Sequence, residues 1–314
     1  MQRFDKDFFA IDSNSMATAL PDLQKKYPVF LPIFINNVLG LGPLETSNSA
    51  AFEGAKHFLH LTQPLYDTVA LVFQNVDGLQ KDFEEAFRYV KNYFPAYKAP
   101  VKVITLVGPM DGLASLGSEL TPDFIGPDFL GISLQFYLGK NFSAYNDEYF
   151  INRVAPQYRS RRFEKNYIVP DALKLIVDDL FPDRTQGKPL IEQLIEKGKQ
   201  WWLLDQFLPR TADSLKTGYT QSQLEWCKVN EGLIWNYIVT NENIYAVDPA
   251  TIQQYIGEAP FTQTMSEASP GNIGPWIGWQ IVKKYAQNSK TSSPEEVMKA
   301  DAKKILEEAK YKPK

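Results

Sequence analysis

Ser269-Pro-Gly-Asn-Ile-Gly-Pro-Trp-Ile-Gly-Trp-Gln-Ile-Val-Lys-Lys-Tyr285 is the stretch on which the reading of this chain turns. It opens with turn residues, Pro270-Gly271-Asn272, and Asn272 is placed to cap the free amides of a helix start. Pro275 falls in the first turn, where a missing N–H costs nothing. Ile277, Ile281 and Tyr285 then recur at helical spacing, with Val282 beside them. Gly274 and Gly278 stand four residues apart, on one helical face. A glycine inside a helix costs roughly 1 kcal/mol relative to alanine, so two of them point to close backbone approach by another element. The plain expectation is a buried packing helix.

Outward from that helix, composition sets the limits. At 314 residues the chain has room for two lobes, expected as an α+β lobe over 1–147 and a helical lobe over 148–314, or one continuous domain. Hydrophobic residues at 44% and charged residues at 22% describe an ordinary globular protein. The net charge of −4, with lysines and acids mixed along the chain, argues against a nucleic-acid surface. Cys227 is the only cysteine, so no intrachain disulfide is possible. No run of about 18 apolar residues appears that would cross a membrane as a helix. The opening Met1-Gln-Arg-Phe-Asp-Lys-Asp7 is polar and does not read as a signal peptide.

Taken in order, residues 12–20 read as a capped helix start and 40–49 as a breaker-rich loop. A short helix over 51–61 carries the only histidines, His57 and His60, and 65–73 reads as a further helix ended by a tight turn at 75–78. Leu79, Phe83, Phe87, Val90 and Phe94 repeat at spacings of three and four, an amphipathic helix stopped by Pro95. The β-branched run 101–107, between Pro100 and Gly108-Pro109, is the strongest strand; 112–116 and 129–138 are the second and third. From Glu148 the pattern is helical almost to the end, with segments 189–207, 222–239 and 293–309 each opened by a breaker or capping residue. The fold class is therefore α+β and predominantly helical, with a small mixed sheet in the N-terminal half.

Few residues point to chemistry. His57 and His60 share a helical face with Glu53, but no familiar ligand spacing accompanies them, and a structural or exposed pair is the simpler reading. No nucleophile elbow or glycine-rich phosphate loop occurs. Glu192 and Glu196 lie four apart on one helix, with Asp171, Asp178 and Asp179 on the helix before it. Paired carboxylates facing a cleft would suit acid/base work, and a solvated charged face accounts for the same spacing.

The opening stretch, with Leu130-Gly-Ile-Ser-Leu-Gln-Phe-Tyr-Leu-Gly139, Tyr158-Arg-Ser-Arg-Arg-Phe-Glu-Lys-Asn-Tyr-Ile-Val-Pro-Asp171, Leu194-Ile-Glu-Lys-Gly-Lys-Gln-Trp-Trp-Leu-Leu-Asp205 and Trp226-Cys-Lys-Val-Asn-Glu-Gly-Leu-Ile-Trp235, resembles the gliding-motility lipoprotein GldB family over almost the whole chain. The resemblance implies a fold related to the zincin metallopeptidases, and hence a zincin-like helical C-terminal half. Zincins carry H-E-x-x-H on one helix and a further ligand on a later one. By that likeness Pro170, Asp171 and Lys174 stand where His, Glu and His would, and Glu196 stands for the later ligand. Proline cannot bind zinc and a lysine ammonium repels it, so the resemblance implies a peptidase-like scaffold without its catalytic metal or any other cofactor.

The expectation that follows is a non-catalytic protein of the cell envelope. It would face the periplasm, carry an N-terminal lipid anchor whose signal lies outside this chain, and act through protein partners. Its candidate degenerate cleft comprises Asp171, Lys174, Glu192, Glu196 and Trp201; its signature helix comprises Gly271, Gly274, Trp276, Gly278, Trp279 and Tyr285. Two other readings are open. One is a hydrolase using carboxylates or an unrecognised metal site. The other is a peptide- or carbohydrate-binding module using Trp201, Trp202, Trp276 and Trp279.

Overall fold

The computed structural model describes residues 1–44, 49–100, 102–116, 119–241, 244–289 and 293–313. Val101, at the head of the strongest expected strand, and residues 45–48 of the expected loop lie outside the described residues. The chain opens with β1 (Gln2–Arg3), α1 (Phe4–Phe9), α2 (Met16–Lys26), α3 (Phe30–Ile33), α4 (Ser49–Val72) and α5 (Asp77–Tyr93). Strands β2 (Lys102–Leu106), β3 (Ala114–Leu116), β4 (Glu119–Thr121), β5 (Phe124–Ile125) and β6 (Phe129–Ser133) follow. Then come α6 (Glu148–Arg153), α7 (Gln157–Ser160), α8 (Ile168–Leu180), α9 (Leu190–Phe207), α10 (Asp213–Thr217) and α11 (Gln221–Val229). The chain closes with α12 (Glu231–Asn241), α13 (Pro249–Ile256), α14 (Ile273–Asn288), α15 (Pro294–Lys299) and α16 (Ala302–Ala309). This is an α+β, predominantly helical protein with a small mixed sheet, as its residue patterns predict. Two compact units form: residues 1–81, 100–114 and 120–168, and residues 82–99, 115–119 and 169–314.

In the first unit the sheet order is β1-β2-β6-β5, parallel except that β5 runs antiparallel to β6. Val103 lies opposite Leu130 and Thr105 opposite Ile132. Nearly every residue of β2 and β6 is buried, which is why both read as continuous apolar runs without alternation. The edge strand β1 is too short to show a pattern in the sequence. It is held by Arg3, whose guanidinium donates to both oxygens of the buried Asp5 carboxylate (2.9 and 2.6 Å) and to the Phe73 carbonyl (2.7 Å). Thr105 of β2 donates to the same carboxylate at 2.5 Å.

Three expectations in this unit are corrected. The third strand stops at Ser133, because the Tyr145 hydroxyl takes over the next backbone groups: it donates to the Gln135 carbonyl (2.6 Å) and accepts from the Leu138 amide (3.2 Å). Helices expected over 51–61 and 65–73 are one helix, α4, running through Pro64. The buried stripe of Ala51, Ala55, Leu59 and Val69 is carried across the proline by Tyr66, stacked on Phe9 at 4.4 Å, and that packing outweighs one missing N–H. The expected turn at 75–78 is instead the start of α5, with the Asn75 side chain accepting from the Asp77 amide at 2.7 Å.

The second unit is built on α9 and α14, with α13 and α16 packed beside them. Its core holds Leu194, Ile195, Tyr255, Trp276, Ile277, Ile281, Val282 and Ile305, all nearly inaccessible. The segment expected as one helix over 222–239 is two, because the Asn230 side chain turns back to donate to the Trp226 carbonyl at 2.8 Å. The segment 293–309 likewise breaks before Asp301, whose carboxylate accepts from the Lys303 amide at 2.9 Å and starts α16.

Candidate functional site

The glycines of α14 explain its position. A side chain at Gly278 would run into the backbone of Leu194 and Ile195 on α9, and one at Gly198 of α9 would run into the backbone of Gly278 and Trp279. The two helices therefore touch backbone to backbone, each supplying a glycine at the crossing. Gly274 meets a Leu194 methyl and the Tyr255 carbonyl, while Gly271 lies against the backbone of Ala259. Asn272 does not cap the helix with its side chain. It adopts a left-handed conformation (φ 45°), and its carbonyl accepts from the Tyr219 hydroxyl at 3.0 Å. The turn before it is held by Thr262, which donates to the Pro270 carbonyl through both its amide (3.1 Å) and its hydroxyl (2.8 Å).

Around the crossing lies a polar hub that the sequence pattern does not reveal. The Asp205 carboxylate accepts from the Trp279 indole N–H (2.7 Å), pairs with Lys216, and lies 3.6 Å from the Lys283 ammonium. Lys216 also reaches Asp213 at 3.0 Å, and its side chain is only 6% exposed. Lys283 sits over the Trp279 ring, 3.1 Å from its centroid. Burial pulls the Lys283 ammonium below its ordinary value, with the Asp205 charge opposing. Four tryptophans belong to this interior: Trp201 packs edge-on against both Tyr219 and Trp279, and Trp202, Trp276 and Trp279 are also buried. They are core side chains and do not line an open groove. Tyr285, at the end of the signature stripe, is buried with them.

Of the candidate carboxylates, Asp171, Glu192 and Glu196 each face a lysine, and Asp179 accepts from the Tyr97 hydroxyl at 2.6 Å. Asp171 pairs with Lys174 at 2.9 Å, one turn along α8. Glu196 pairs with Lys199 at 2.9 Å, one turn along α9, and Glu192 lies 3.7 Å from Lys303 of α16. Lys199 is buried, and its ammonium also donates to the carbonyls of Met298 (3.3 Å) and Ala300 (2.5 Å), fastening the α15–α16 turn to α9. The Asp178–Asp183 turn adds a further pair, Asp183 with Lys197 at 2.9 Å. Burial pushes the Asp178 carboxyl up. Burial acts the same way on Asp183, but hydrogen bonds from Thr185 and the Lys197 charge outweigh it and hold that carboxyl below its ordinary value. Burial pushes the Cys227 thiol well up, so it is no nucleophile.

These residues do not fit zinc. By the sequence resemblance the zincin ligand positions fall on Pro170, Lys174 and Glu196 and the base position on Asp171, and a lysine ammonium sits within hydrogen-bond distance of each carboxylate. His57 and His60 are exposed on α4 of the other unit, and among the described residues no three His, Cys, Asp or Glu side chains gather as a metal site.

Element order and site together define a class: a mostly helical α+β protein whose second unit is fixed by a glycine crossing and whose Asp171, Glu192 and Glu196 carboxylates face lysines. Within it the chain belongs to the family described as gliding motility protein GldB, a lipoprotein family of the cell envelope, whose sequence profile matches residues 1–313. No curated protein and no solved structure matches the chain.

Proposed function

We infer that this chain is a non-catalytic part of a gliding-motility apparatus, working through protein partners in the cell envelope. On this reading it is held at a membrane by an N-terminal lipid anchor and faces the periplasm, on a scaffold descended from zincin peptidases. Family membership supports the cellular role. One observation carries the non-catalytic part: Asp171 and Glu196, the carboxylates aligned with zincin positions, are each bound to a lysine of their own helix at 2.9 Å. A carboxylate that must activate water or hold a cation needs its lone pairs free, and an adjacent fixed ammonium occupies them and opposes a metal charge. The alignment of α8 and α9 with zincin helices rests on sequence resemblance.

Metal analysis of protein purified without a histidine tag tests this. Zinc should be well below stoichiometric, and a chelator should leave the unfolding temperature unchanged. Stoichiometric zinc, together with a chelator-induced drop of several degrees, would overturn the reading.

A further inference from the structure

The second unit contains a cleft of about 510 Å³, bounded by the turn after α8, one face of α9 and the α15–α16 turn. That volume is ordinary for a small-molecule site. Its acids are all engaged. Asp183 is paired with Lys197, Glu196 with Lys199, and Asp301 accepts the Lys303 amide at the start of α16. Lys199 on the lining is satisfied by Glu196 and two carbonyls, and Lys299 pairs with Glu295 at 2.5 Å. Two cations on the lining remain, Arg184 and Lys188, and among the described residues neither side chain has a hydrogen-bond or ion-pair partner. The free charge of the cleft is thus positive, although the chain as a whole carries −4. Leu180, Phe181 and the buried Met298 supply the apolar part of a lining that is otherwise largely polar.

We propose that this cleft binds a small amphiphilic anion, with a phosphate or carboxylate head on Arg184 and Lys188 and an apolar body against Leu180, Phe181 and Met298. A guanidinium presents a planar fork matched to either head group, and a neighbouring ammonium adds a point charge. The apolar wall separates this ligand class from a free inorganic anion, which could use only the cations. Binding here does not depend on the non-catalytic reading: the cleft would take its ligand whether or not the protein turns anything over.

Isothermal titration with decyl phosphate below its critical micelle concentration tests the proposal, with inorganic phosphate as the second probe. The variants are the double substitution Arg184→Gln/Lys188→Gln and, as a charge-matched control outside the cleft lining, Lys304→Gln. Arg184 and Lys188 make no side-chain polar bonds among the described residues, so the double variant should fold as the wild type does. Decyl phosphate should bind once per chain. Its affinity should fall by about tenfold or more in the double variant, consistent with loss of charge-assisted hydrogen bonds, and should hold in Lys304→Gln. Inorganic phosphate should bind at least about tenfold more weakly, since it gains nothing from the apolar wall. Absence of saturable decyl phosphate binding, an unchanged double variant, an equal loss in Lys304→Gln, or equal affinity for inorganic phosphate would each overturn the proposal.

Discussion

At Gly278 and Gly198 helices α14 and α9 meet backbone to backbone, and the sequence alone understates how close they come. The spacing of Gly274 and Gly278 announces a neighbour, from which leucine at 278 is expected to overpack and alanine to be milder, stabilising only if the contact is loose. The contact is not loose, because the first atom of any side chain there would meet the Leu194 carbonyl, which cannot rotate away. Gly278→Ala should therefore cost about 1–3 kcal/mol by overpacking, Gly278→Leu more, and Gly198→Ala a cost like that of Gly278→Ala. Chemical denaturation measures all three, and an alanine variant as stable as wild type would mean the helices are further apart than described. A second residue-scale prediction concerns Asp205. Its removal leaves Lys216, almost wholly buried, with Asp213 alone and the Trp279 N–H without its acceptor. Asp205→Ala should destabilise toward the low end of about 3–5 kcal/mol, the range for breaking a buried ion pair. A loss below the noise of the denaturation curve would show that the hub contributes nothing.

At the scale of elements, caps and turns decide where helices begin, and they were the least legible part of the sequence. The strand β2 was readable because a β-branched run is bracketed by Pro100 and Gly108-Pro109. The breaks at Asn230 and Asp301 were not, since both residues suit a helix surface until their side chains take a backbone partner. Thr220 heads α11 with a reciprocal capping box to Gln223, so Thr220→Ala should cost about 1 kcal/mol, and a neutral result would remove that box from the account. The turn after α8 gives a pH prediction. A carboxylate held low in the folded state, with an unfolded value of about 3.9, adds stability that is complete above that value. The contribution is lost as pH falls through the folded value, which for Asp183 lies lower still. The stability gap between wild type and Lys197→Met should therefore narrow below about pH 4 and reach full width only above the raised range of Asp178, which the Lys197 charge also holds down. A gap independent of pH would mean that Asp183 and Lys197 are not coupled.

For the whole molecule, the α+β class and the small mixed sheet were legible from where the β-branched runs and the helical periodicities fall. The site was legible only in part. Asp171, Lys174, Glu192 and Glu196 could be named from spacing and resemblance, but not the reach of Lys303 to Glu192 or of Lys199 to carbonyls a hundred residues on. Contacts across such a distance leave no local pattern. The same holds for Asp205, whose partners at 216, 279 and 283 have no periodic relation to it. What those contacts show is a second unit in which Asp171, Glu192 and Glu196 face lysines, the basis of the proposed non-catalytic role. The most direct measurement is spreading of gliding cells that lack their own copy and carry the Asp171→Asn/Glu196→Gln double variant. Motility should equal that restored by the wild-type chain. Loss of motility with the variant present at the normal level and unfolding at the normal temperature would contradict it.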